Sequence, residues 1–175
     1  MKKLLIQPKK DLTNFSKPKE VAAPSRLLAT KKLTLKFQFA ARSQVELASN
    51  SFSVAWNGKK LKTFVPKDYK IHTTVLPILA TIGTNVLSFL SEGKTDSLGA
   101  TINNVELMNH GKNMVRNGGF EQGHNVGKGW NSFEELAGWK SEIIQVGNGP
   151  IYNLLWSDGD HVCQLNSGKN SRVYQ

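Results

Sequence analysis

One cysteine, Cys163, stands in a chain of 175 residues. A lone cysteine excludes an intrachain disulfide framework, and it argues weakly against an oxidising compartment. A chain of this length forms one domain of ordinary size, with a core large enough to need neither bridges nor metal. Long hydrophobic runs are missing too: no stretch approaches the ~18 apolar residues of a membrane-spanning helix. At the start, Met1-Lys2-Lys3 is followed by only Leu4-Leu5-Ile6 before Gln7-Pro8-Lys9-Lys10. A secretory signal needs ~7–15 apolar residues there. The same leader is basic and poor in acid, as transit peptides are, but arginine is scarce in it. Pro8, Pro18 and Pro24 break any amphipathic helix.

Catalytic spacings are also lacking. His72, His110, His124 and His161 show no HExxH pattern, and there is no GxSxG elbow, phosphate-cradling glycine loop or CxxC pair. Cys163 lies in an alternating run and reads as a small core residue. Glu134 and Glu135 are adjacent, so by themselves they cannot face each other across a glycosidic bond. The expectation is a protein that is not an enzyme.

The net charge of +10 is unevenly spread. Residues 1–36 hold ten Lys or Arg against two acids, or +8; residues 37–175 hold thirteen against eleven, or +2. The basic character belongs to the leader, so it does not mark the folded part as a specific nucleic-acid binder. Residues 1–31 read as a disordered, solvated basic tail. Residues 32–175 read as the folded domain.

From Leu33 the pattern turns to period two. Leu33, Leu35, Phe37 and Phe39 alternate with Thr34, Lys36 and Gln38, the mark of a half-buried strand. Phe52, Val54 and Trp56 repeat it, and Asn57-Gly58 then separates them from a run over 60–65. Asn-Gly between two such runs is a hairpin signal, because both central residues of a type I′ turn take positive φ. The run 71–82 contains Pro77, which predicts an edge strand or a bulge. Further strands are predicted over 86–90, 101–107, 113–116, 143–146, 161–165 and 172–175. The one helical turn expected is 132–136, where Ser132 and Glu135 have capping-box spacing. This pattern predicts an all-β antiparallel sandwich or jelly roll.

Several segments resemble a known family. Asn117-Gly118-Gly119-Phe120-Glu121, then Gly138-Trp139, then the closing run from Gln164-Leu165-Asn166-Ser167 to Val173-Tyr174-Gln175, are similar to the first half of galactose-binding-like jelly rolls. These include carbohydrate-binding modules and the plant cell-wall domain of unknown function six-four-two. Phe52-Ser53-Val54-Ala55-Trp56-Asn57-Gly58, Gly83-Thr84-Asn85-Val86-Leu87-Ser88-Phe89, Asp96-Ser97-Leu98-Gly99 and Thr101-Ile102-Asn103-Asn104-Val105-Glu106-Leu107 resemble its second half. The likeness covers about four fifths of the chain, with the halves in reversed order. Either the domain is circularly permuted or the chain straddles two tandem modules. Residues 33–175 amount to roughly one module, which favours the permutation. It predicts that 102–107 pairs antiparallel with 113–116 through the link 108–112, and that the strand ending at Gln175 lies in the same sandwich as the strand starting at Leu33.

The resemblance implies a non-catalytic binder of glycan or cell-wall polysaccharide, at a cell surface or outside the cell. Sugar recognition needs aromatic faces for C–H surfaces and polar groups for hydroxyls. Trp56 and Trp139 sit in strand-like motifs and read as core. Trp130, Tyr152 and Trp156 lie in Gly- and Asn-rich stretches and are candidate ligand residues. Asn153, Asp158 and Asp160 stand near Trp156 in sequence. In related modules the glutamate of the first motif and an acid of the last help hold a structural calcium. Glu121 matches the first; Asn103 stands at the second, with an oxygen but no charge, which implies weak binding. The competing reading is a structural subunit that binds other protein subunits and uses the basic leader as a docking arm. Removing residues 1–30 is expected to move the thermal midpoint by less than about 5 °C, as differential scanning calorimetry would show.

Overall fold

The computed structural model describes residues 31–94, 96–149, 156, 159–165 and 172–175. Eleven antiparallel strands occur in it: β1 (Lys31–Ala40), β2 (Phe52–Trp56), β3 (Lys59–Phe64), β4 (His72–Ala80), β5 (Leu87–Ser91), β6 (Thr101–Asn109), β7 (Lys112–Asn113), β8 (Trp130–Leu136), β9 (Trp139–Asn148), β10 (His161–Gln164) and β11 (Arg172–Tyr174). They join in one sheet, ordered β3-β2-β5-β11-β9-β10-β6-β1-β4, with β7 beside β6 and β8 beside β9. The protein is all-β, and the sheet curls on itself as a jelly-roll sandwich.

The curl follows from the alternation in β1. Leu33, Leu35, Phe37 and Phe39 all point inward and are buried. Phe37 meets Phe52 of β2 at 6.2 Å, Phe64 of β3 at 5.6 Å and Phe89 of β5 at 5.1 Å. Phe39 meets Phe52 at 5.3 Å and Phe64 at 5.2 Å. Along the hydrogen-bonded order β1 is far from β2, β3 and β5, so these contacts cross the core. One apolar cluster runs from Leu33 to Val173 and draws on both halves of the chain.

The local signals act as expected at several points. Asn57 and Gly58 have φ of 51° and 78° and close the β2–β3 hairpin. β4, with Pro77, is an edge strand, where a missing N–H need not break a ladder.

Three expectations are corrected. Residues 132–136 are not helical; they lie in β8, where Ser132 pairs with Gln145 and Phe133 with Ile144. Cross-strand pairing overrides the local capping pattern. Pairing after β6 is shorter than expected: Met108 faces Asn113 and Asn109 faces Lys112. His110 and Gly111, with φ of 46° and 81°, form a two-residue turn in place of a five-residue link. Beyond it the Asn113 side chain accepts the Leu107 N–H at 3.0 Å. Finally, β1 begins at Lys31, one residue inside the stretch assigned to the leader.

The strand ending at Tyr174 lies in the same sheet as β1, paired with β5 and β9. Lys31 and Gln175 line one pocket, which brings the two ends of the fold close together.

The motif residues act as joints between strands. Phe120 stacks on Trp139 at 5.1 Å, and the Trp139 indole N–H donates to the Asn117 carbonyl at 2.9 Å. Gln175 clasps Arg116, accepting its N–H at 2.7 Å and donating to its carbonyl at 2.8 Å. Gly118 sits against β6, where an added Cβ would fall 2.0 Å from the Val105 carbonyl oxygen. Gly118→Ala is therefore expected to destabilise the fold by about 3 kcal/mol. Gly129→Ala, whose Cβ would have 3.6 Å to its nearest neighbour, should be close to neutral. Urea denaturation of the two variants measures the contrast.

Candidate functional site

The sequence-derived site residues that are described divide between two places on the sheet. Trp130 opens β8 with 60% of its surface exposed. It pairs with Gly147, and Gly147 pairs with Val162. Directly paired residues project to the same side, so Trp130 and Val162 share the outer face with a side-chain-free position between them. Val162 and Ala40 form a small buried pair there, and Ile71 and the half-buried Trp156 each pack against it. Trp156 thus closes a small apolar cluster on that face, and its ring is not a free platform. Its indole nitrogen is buried without a partner among the described residues. Asp160 is exposed, and its carbonyl accepts the Gly149 N–H. Tyr152, Asn153 and Asp158 lie outside the described residues.

Glu121 and Asn103 do converge, but on a histidine. One Glu121 oxygen accepts the His161 backbone N–H at 2.7 Å, and the other lies 2.5 Å from His161 Nδ1. Asn103 Nδ2 donates to the His161 carbonyl at 3.0 Å, and Asn103 Oδ1 accepts the Asn104 N–H. The His124 ring packs edge-on to His161 at 4.7 Å, with Phe133 5.7 Å from His124 on another side. Gly159 makes room for this group: at φ +70°, an added Cβ would lie 2.1 Å from a Glu121 oxygen.

Calcium takes six to eight oxygen ligands. Here the Glu121 carboxylate faces a backbone N–H and a ring nitrogen. Among the described residues no group of three or more His, Cys, Asp or Glu side chains is placed to hold a metal ion. The arrangement does not fit calcium. What it does chemically is tie the loop at 120–124 to the start of β10, forty residues later. His161 was missed as the partner because no local spacing links it to Glu121.

Compared with protein-family models, curated proteins and solved structures, the chain matches none.

Cys163 is fully buried on the inner face of β10, and burial pushes its thiol up, away from the reactive thiolate. The native protein is expected to resist thiol reagents, with Cys163 labelled only on addition of denaturant. Rapid labelling of the folded chain would show that β10 opens locally.

Proposed function

We propose that the chain is a non-catalytic carbohydrate-binding module of a cell-surface or cell-wall type, with Trp130 as its stacking platform. The observation that carries this reading is the exposure of Trp130. Trp56 and Trp139 are core residues and Trp156 is half-buried, whereas Trp130 keeps 60% of its surface in water. A ring of that size presents an apolar face to the C–H side of a sugar. Gly147 opposite it has no side chain to crowd its flank, and exposed Asn131 and Ser132 follow it in the chain. The likeness of the sequence motifs to galactose-binding-like modules supports the same reading.

The second reading, a structural subunit that docks on other protein subunits, has one observation in its favour. Val75 and Leu79 project from one side of edge strand β4 and are 57% and 59% exposed.

A glycan array probed with the full chain is the test. The carbohydrate reading expects retention of at least one polysaccharide. Trp130→Ala should weaken that binding by about tenfold or more, as loss of an aromatic anchor does. The thermal midpoint should stay put, since an exposed ring contributes little to the core. An array on which nothing is retained would sink the carbohydrate reading and leave the docking one.

A further inference from the structure

A pocket of about 550 Å³ opens at one end of the sandwich, where β1 begins, β4 ends and β11 runs out. Its size falls in the ~300–1,000 Å³ range of small-molecule sites. Leu33, Trp56, Ala80, Leu87 and Leu107 supply buried apolar walls, and Ile82 and Met114 line it while 69% and 51% exposed. Large apolar side chains left in water beside an apolar pocket mark a place where something binds.

Two of the polar residues in the lining, Asn85 and Gln175, are taken up within the protein. Both ends of the Asn85 amide are engaged. Its oxygen accepts the Thr81 N–H at 3.0 Å and the Asn57 amide at 3.1 Å; its nitrogen donates to the carbonyls of Thr81 at 2.8 Å and Gly83 at 3.0 Å. The Gln175 amide is clasped at both ends by Arg116. Two polar atoms of the lining have no partner among the described residues, the Trp56 indole nitrogen, which is a donor, and Asn109 Oδ1. Among the described residues that line the pocket, Lys31 is the single charged one, and no carboxylate among them pairs with it. Apolar walls, apolar rim and one cation together match a chain-like molecule with one negative end.

We infer that this pocket binds an aliphatic monocarboxylate, with its tail among Leu33, Trp56, Leu87 and Leu107 and its carboxylate at Lys31. The site is separate from the Trp130 surface and does not rest on the carbohydrate reading.

Calorimetry of the full chain with sodium decanoate, below its micelle concentration, tests it. The expected result is saturable binding of one decanoate per chain. Lys31→Glu should weaken it about tenfold, through loss of the attraction and added repulsion. Decyltrimethylammonium, with the same tail and the opposite charge, should bind more weakly than decanoate. Ile82→Asp with Met114→Asp should abolish binding; both positions are exposed, so circular dichroism should be unchanged. Trp130→Ala should bind decanoate as the parent does. A second measurement uses 11-bromoundecanoate: it should quench tryptophan fluorescence, and Trp56→Phe should remove the quench. The inference is overturned by an absence of saturable binding, by equal binding of the two headgroups, or by binding that survives in the Ile82/Met114 variant. The last result would mean adsorption to the basic leader.

Discussion

The fold depends on the meeting of two faces of one sheet, and that meeting is made by phenylalanine. Phe37 and Phe39 reach across to Phe52, Phe64 and Phe89 with ring centroids 5.1–6.2 Å apart. Edge-on and tilted rings at these separations bury large apolar areas and add a favourable quadrupole term. Without such contacts the sheet, eleven strands among the described residues, would stay open with one apolar face in water. Because Phe37 and Phe39 come from the first strand of the described fold, closure joins the beginning of the chain order to its middle. It also brings Lys31 and Gln175 to a common pocket. The near meeting of those ends is the geometric condition under which a loop can be broken in one place and made in another.

Period-two alternation carried much of this in the sequence. Leu33 to Phe39 and Phe52 to Trp56 could be placed as strands because each side chain's neighbours dictate its face, and Asn57-Gly58 could be placed as a turn because few other pairs tolerate two positive φ values. Pro77 marked an edge through its missing N–H. Residues 132–136 misled for a complementary reason. Ser132 and Glu135 have helix-capping chemistry, but Phe133 has Ile144 to pair with and Leu136 has Trp139. The long-range partner decides, and the local pattern contains no trace of it.

The candidate sites were less legible. Trp130 could be singled out because an aromatic ring in a polar stretch has no obvious core to join. Trp156 looked the same in sequence, yet it packs against Ala40 and Val162, and no local pattern announces that contact. Glu121 and Asn103 lie in one locality around His161: the Glu121 carboxylate is taken by the His161 N–H and ring, and the Asn103 oxygen, the atom a cation would need, accepts the Asn104 N–H. The end pocket was not legible at all. Its lining is drawn from six separate segments between Lys31 and Gln175, and each contributing residue reads locally as an ordinary strand end or turn.

The sequence motifs therefore have a physical meaning independent of any ligand. Asn117, Phe120, Trp139 and Gln175 form one joint: a carbonyl takes an indole N–H, two rings stack, and an amide clamps the backbone just ahead. Asn57, Asn85 and Val86 form another, in which side-chain amides replace missing ladder bonds at the hairpin end. Joints of this kind are required wherever a curled sheet must pass from one layer to the next while keeping its polar groups paired. They constrain the fold strongly and recognition hardly at all. Trp130, Ile82 and Met114 take no part in these joints and are exposed. A motif made of joint residues speaks for a scaffold and carries no information about a ligand, so any account of binding has to be argued from the groups the joints leave exposed.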